Sequence, residues 1–239
     1  MEPIKSRKAI NLLYEVKDYS LFNDYVLIGG TALAIYLNHR ESEDLDFVTI
    51  REKLNRPLIN LFINSIEKKE FKINKIYDLA GDMDFAEGGE NIDDYQQIYE
   101  INGVRVSFFV TPDLTAKNIL KEDIPNIIDG NIKAAQIETI FKLKCDIISQ
   151  RNKLRDYYDI YFLIKNKKAD LMEEYDYIKK NSGSSFANRI MERLYKLTPS
   201  PADKEGLLTI KKANVTVEKL RNFFQKEIKE VFKRVTIEK

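Results

Sequence analysis

The chain has 239 residues, 44% hydrophobic and 32% charged, with 39 basic side chains against 38 acidic ones. This is an ordinary globular composition, neither disordered nor fibrous, and the length allows one large domain or two modest ones. The near-cancelling charge gives no global sign of nucleic-acid binding, and no apolar run approaches the roughly 18 to 20 residues that cross a bilayer.

The start, Met1-Glu2-Pro3-Ile4-Lys5, lacks the long apolar stretch of a secretory signal, so a cytoplasmic location without membrane attachment is expected. The single cysteine, Cys145, excludes an internal disulfide and reads as a small core residue. His39 is the single histidine, which excludes multi-histidine metal centres and leaves general-base work to a carboxylate or to His39 itself.

In chain order, Ile10, Leu13, Tyr14, Val16 and Leu21 suggest an opening amphipathic helix that closes near residues 20–24. The apolar run Val26-Leu27-Ile28 then meets Gly29-Gly30-Thr31, followed by a helical pattern. Glycines at a strand-to-helix turn let backbone amides approach a phosphate, and a helix start favours an anion. In Asp44-Leu45-Asp46-Phe47-Val48 the two-residue period of a strand points both carboxylates to one face. Like charges held that close repel, and a divalent cation relieves the repulsion. Taken singly, each half is equally compatible with a plain tight turn and a solvated strand end.

Residues 52–68 carry Leu54, Leu58, Leu61, Phe62 and Ile66 at helical spacing, and Phe71, Ile73 and Ile76 alternate as on a half-exposed strand. Gly81, Gly88 and Gly89 break the following stretch into loops. Asn102-Gly103 joins two β-rich runs, 97–101 and 104–110, which is the strongest short hairpin signal. Thr111-Pro112-Asp113 ends the second run. Beyond it no strand is expected, and helical patterns recur near 114–121, 133–150, 156–166, 170–180, 184–196, 203–212 and 216–234. The expected class is α+β, a small mixed β-sheet core with helices over residues 1–120, followed by a helical C-terminal lobe over 121–239.

That lobe holds a second constellation. The segment 142–168 carries eight basic residues against Asp146, Asp156 and Asp159, which a solvated helix face accounts for in large part. Ile140, Leu143 and Ile147 share one helical face, which leaves Lys144 and Arg151 on another. Asp156 and Asp159, three apart, also share a face. A structural salt-bridge network, with Arg155 as partner of Asp156, is one reading of this group.

Gly-Gly-Thr, twelve residues, then Asp44-x-Asp46 resembles the signature of the polymerase-beta-type nucleotidyltransferase superfamily. Together with Lys144, Arg151 and Arg155-Asp156-Tyr157-Tyr158-Asp159, it resembles the AbiEii/AbiGii-type nucleotidyltransferase toxin family of bacterial toxin–antitoxin and phage-defence systems. The resemblance frames residues 20–165 and implies Mg²⁺-dependent transfer of a nucleoside monophosphate from an NTP to an acceptor, plausibly RNA or a tRNA end, with a cognate antitoxin as partner. It implies that Gly29, Gly30 and Thr31 hold the triphosphate and that Asp44 and Asp46 bind one or two Mg²⁺. Lys144 would pair with the triphosphate, Asp159 would orient it or activate the acceptor hydroxyl, and Arg40 would touch the phosphates or lock its loop.

One departure stands out: the superfamily's third carboxylate, on a neighbouring strand, is replaced by Ser107 or Arg105. One metal then suffices, another acid such as Asp84 or Asp159 substitutes, or the chain is a catalytically degenerate binder of nucleotide or of a partner. Transfer to a small molecule or a protein hydroxyl is a further reading.

Overall fold

The computed structural model describes residues 7–77, 89–111 and 113–237, which form two compact units, 1–136 and 137–239. The first unit opens with α1 (Arg7–Val16) and a 3₁₀ turn, Ser20–Asp24. β1 (Val26–Ile28), α2 (Gly29–Leu37), β2 (Leu45–Thr49), α3 (Arg56–Glu67) and β3 (Ile73–Ile76) follow, then β4 (Gln96–Ile101), β5 (Val104–Val110), α4 (Leu114–Glu122), β6 (Asn126–Asp129) and β7 (Ile132–Ala134).

The strands make one seven-stranded mixed sheet in the order β3-β4-β5-β2-β1-β7-β6. β2 runs antiparallel to β1 and parallel to β5, so the strand bearing Asp46 lies inside the sheet with a partner on each side. Leu27, Phe47 and Phe108 stand level across three strands and build the buried face. Phe47 and Phe108 stack at 5.6 Å, Phe22 meets Phe47 at 4.8 Å, and Phe62 closes edge-on to Phe22 at 5.5 Å. Each such pair adds about 0.5–1.5 kcal/mol beyond its buried area. The opposite pleat of β2 carries the half-buried Asp46 and the buried Val48.

The Asn102-Gly103 hairpin forms as its sequence requires, with φ of 50° and 76° at the two turn residues. The stretch beyond Pro112 departs from expectation. β6 and β7 form a second hairpin, and β7 adds to β1 in parallel, Leu27 level with Ala134. Residues 133–136 are thus strand and loop, and the first unit extends to Gln136 rather than ending near residue 120. Asp129-Gly130 carries the turn signal, with Gly130 at φ 52°, but strands of four and three residues are too short to show a period.

The second unit holds α5 (Ile137–Ile148), α6 (Leu154–Lys165), α7 (Leu171–Ser182), α8 (Ser184–Lys196), α9 (Lys204–Lys212) and α10 (Val217–Ile237). Its helices bury stripes at helical spacing: Ala187, Ile190, Met191 and Leu194 on α8, and Leu220, Phe224, Ile228 and Val231 on α10. Aspartates mark the starts. Asp170 accepts from Met172 and Glu173 amides at α7, and Asp203 accepts from the Gly206 amide of its own helix and from the Leu154 amide that opens α6. No helix of the described residues is long and apolar enough to cross a membrane.

Candidate active site

Asp46 is held from both sides by the sheet, level with Ile28 on β1 and with Ser107 on β5. Where β1 ends, Gly29 takes φ 76° and starts α2 at once. A Cβ built on Gly29 would stand 3.2 Å from Asp46 Oδ2, so the carboxylate lies against the glycine's Cα. Glycine serves twice there, supplying the left-handed backbone and leaving room for the acid. Asp44 lies one residue ahead of β2, and its carbonyl accepts a hydrogen bond from the Thr31 hydroxyl in the first turn of α2. Both carboxylates are half-buried.

Gly30 is pressed from the other side. A Cβ there would overlap the Arg40 guanidinium and stand 2.7 Å from Ser42 Oγ. Arg40 is buried, 6% exposed, and its Nη1 donates to the Glu41 carbonyl at 2.8 Å. The α2 start, whose first amides have no intrahelical acceptor, therefore carries a buried cation on one side and the Asp44–Asp46 pair on the other. A phosphate and a divalent cation can sit side by side in such a place. The structure thus gathers Gly29, Gly30, Thr31, Arg40, Asp44 and Asp46 in the first unit. Ser42 joins them; its position two residues after Arg40 and two before Asp44 was the available signal.

Ser107, 4% exposed, is the residue level with Asp46, which settles the choice against Arg105, an exposed residue level with Glu100. Asp84 lies outside the described residues. Among the described residues no group of three or more histidine, cysteine, aspartate or glutamate side chains gathers as a metal site, so Asp44 and Asp46 stand as a pair.

Lys144 and Asp159 belong to the second unit, where they meet each other. Lys144 Nζ lies 2.6 Å from Asp156 Oδ1 and 3.0 Å from Asp159 Oδ2, with both aspartates wholly buried. Arg151 donates to Asp156 through Nε at 2.8 Å and Nη2 at 3.2 Å. Burial alone would push the Asp156 carboxyl up, but the Lys144 and Arg151 charges and hydrogen bonds outweigh it and hold the group below the usual carboxylate range. The network reading is correct in kind and wrong in one partner: Arg155 pairs with Glu205 instead of Asp156.

The face assignment on α5 also changes. Lys144 is buried along with Ile140, Phe141, Cys145 and Ile148, while Leu143 and Ile147 are only half-buried. Two acids on α6 neutralise the lysine, so a charged residue occupies a core stripe that hydrophobicity alone assigns to leucine and isoleucine.

Known proteins include relatives of this chain. Over 168 residues the chain is 30% identical to an uncharacterised protein of Aquifex aeolicus (strain VF5), covering 70% of this chain and 71% of that one. Its fold is similar to the crystal structure of an H. pylori protein described as a "putative nucleotidyltransferase", with TM-score 0.50 and 21% identity over 95% of this chain and 98% of that one. The Megavirus polyadenylate synthase also aligns, at TM-score 0.44 and 14% identity over 76% of this chain and 38% of that one. Residues 11–234 match the family model described as "Nucleotidyl transferase AbiEii toxin, Type IV TA system". That span takes in the glycine turn, the paired aspartates and the buried Lys144 cluster, and the chain belongs to the AbiEii nucleotidyltransferase toxin family.

Proposed function

We propose that this protein transfers a nucleoside monophosphate from an NTP to an acceptor hydroxyl. In the reaction the acceptor oxygen bonds to the α-phosphorus, the bond to the departing pyrophosphate breaks, and the hydroxyl proton passes to a nearby base. The observation that carries this reading is the Asp46 carboxylate against Gly29, at the start of a helix flanked by a buried arginine.

The donor set fits Mg²⁺, which is commonly held by one or two carboxylates together with water and substrate phosphates. Asp44 and Asp46 would hold it, and when bound it polarises the α-phosphate and offsets the charge that builds up there. The amides of Gly30 and Thr31 point their positive end at the triphosphate, and Arg40 backs that turn. The roles that the family resemblance implies for Lys144 and Asp159, toward the triphosphate and the acceptor, belong to the same proposal.

RNA, including a tRNA end, is the acceptor we favour. The first unit carries 16 basic and 23 acidic residues and the second 23 basic and 15 acidic, so the chain's two halves have net charges of −7 and +8. A surplus of that sign in a helical unit suits a polyanion. The family's description supports a toxin role restrained by a cognate antitoxin, and we place that role in the cytoplasm.

Purified protein incubated with each α-labelled NTP, Mg²⁺ and total bacterial RNA should place label in RNA, and Asp46→Ala should abolish it. Ser107 beside Asp46 favours a second reading, a degenerate nucleotide or partner binder. Mg²⁺-dependent nucleotide binding without transfer to RNA, protein or small-molecule hydroxyls would select it.

A further inference from the structure

We propose that Thr31 is a positioning residue for Asp44: its hydroxyl anchors the metal-binding carboxylate pair and does not touch phosphate. The inference rests on the nucleotidyltransferase reading above and sharpens it. The two acids are anchored differently. Asp46 lies within β2, with ladder partners on both sides at Ile28 and Ser107. Asp44 precedes the strand, and the Thr31 hydroxyl donates to its carbonyl.

A threonine hydroxyl has one proton to donate. In this structure that proton is committed to Asp44, and the Thr31 side chain is buried, 2% exposed. What remains for an anion at this position is the backbone amide at the α2 start. The bond spans the loop and ties the first turn of α2 to the entry of β2, so the phosphate-facing turn and the carboxylate pair move as one piece. Mg²⁺ demands near-ideal octahedral geometry, so a small drift of one carboxylate weakens its binding.

The test compares Thr31→Ser, which keeps the hydroxyl, with Thr31→Val, which replaces it by a methyl of the same shape. Mn²⁺ binding to the nucleotide-free protein is measured by electron paramagnetic resonance, alongside half-saturating Mg²⁺ and the NTP KM at saturating Mg²⁺. Thr31→Val should weaken Mn²⁺ binding about tenfold and raise half-saturating Mg²⁺ to match, with the NTP KM within twofold of wild type; Thr31→Ser should resemble wild type throughout. If Thr31→Val does not fold, as judged by its melting curve, Thr31→Ala takes its place.

Unchanged Mn²⁺ binding with a raised NTP KM in Thr31→Val would overturn the inference and return the hydroxyl to the phosphates, leaving the enzyme reading intact. Wild-type protein that neither binds Mn²⁺ nor transfers label would overturn the enzyme reading, and this inference with it.

Discussion

The Lys144 ammonium sits between two fully buried carboxylates, and its value lies in what its removal would leave behind. Lys144→Met would keep the length of the side chain and take from Asp156 and Asp159 the cation they share. Breaking a buried pair from one side costs about 3–5 kcal/mol, and urea unfolding should show a loss of that order. Glu174 is a second buried acid, 3% exposed, with Oε1 lacking a hydrogen-bond partner. Burial pushes its carboxyl up from 4.5 to about 8; Lys142 opposes the shift, and Glu138 and Asp146 add to it. Between those two values the unfolded chain is ionised at this position and the folded one protonated, so unfolding releases a proton there. Glu174 should therefore make stability fall as pH rises from about 4.5 to about 8, and Glu174→Gln should flatten that limb of a melting-temperature profile. Glu174 is inconspicuous in the sequence, one acid of Glu173-Glu174 at a helix start, and Lys144 stands out there as part of a motif but not as a buried residue. Asp44 and Asp46 are conspicuous because a strand's period and two like charges suffice to single them out.

At the level of elements, legibility followed length. Helices α6 through α10 fall within a few residues of the patterns that announce them, because nine or more residues repeat a stripe two or more times. The β4–β5 hairpin was readable from Asn102-Gly103, a turn whose backbone few other residue pairs adopt. The β6–β7 hairpin was not, although Gly130 marks its turn as firmly. Gly130 has φ 52°, and a Cβ there would stand 2.8 Å from the Lys17 carbonyl, which also accepts from the Asn131 amide at 2.8 Å. Gly130→Ala should destabilise the first unit by roughly 1–3 kcal/mol, because the strained φ and the clash with main chain both act against it; its melting temperature checks this. The same change at Gly103, where a Cβ meets nothing within 4 Å, should cost only about 1 kcal/mol. The site shows the same division. The glycine turn and the acids were readable together, through their order and spacing, whereas the Thr31–Asp44 bond and the approach of Arg40 and Ser42 to Gly30 depend on how the intervening loop closes, which no local pattern gives.

Across the whole molecule, charge is the property that separates the two halves, acidic in the first unit and basic in the second. If RNA is the acceptor, its apparent KM should rise about tenfold or more between 50 and 200 mM salt, since each phosphate contact releases counterions. The NTP KM at saturating Mg²⁺ should move far less. Labelling that ignores salt would point to a small or uncharged acceptor. The place of β7 has a consequence for how the protein is made. Its pairing with β1 completes the sheet only when Ala134 has been added, and the helical unit begins three residues later. Domains generally fold in order as the chain leaves the ribosome, so a nascent chain can hold a finished sheet with both aspartates, Arg40 and the glycine turn before the helical unit that carries Lys144 and Asp159 has folded. A translation product of this toxin-family protein cut short near residue 136 would then carry half of the proposed catalytic set, and the other half would come only with the helical unit.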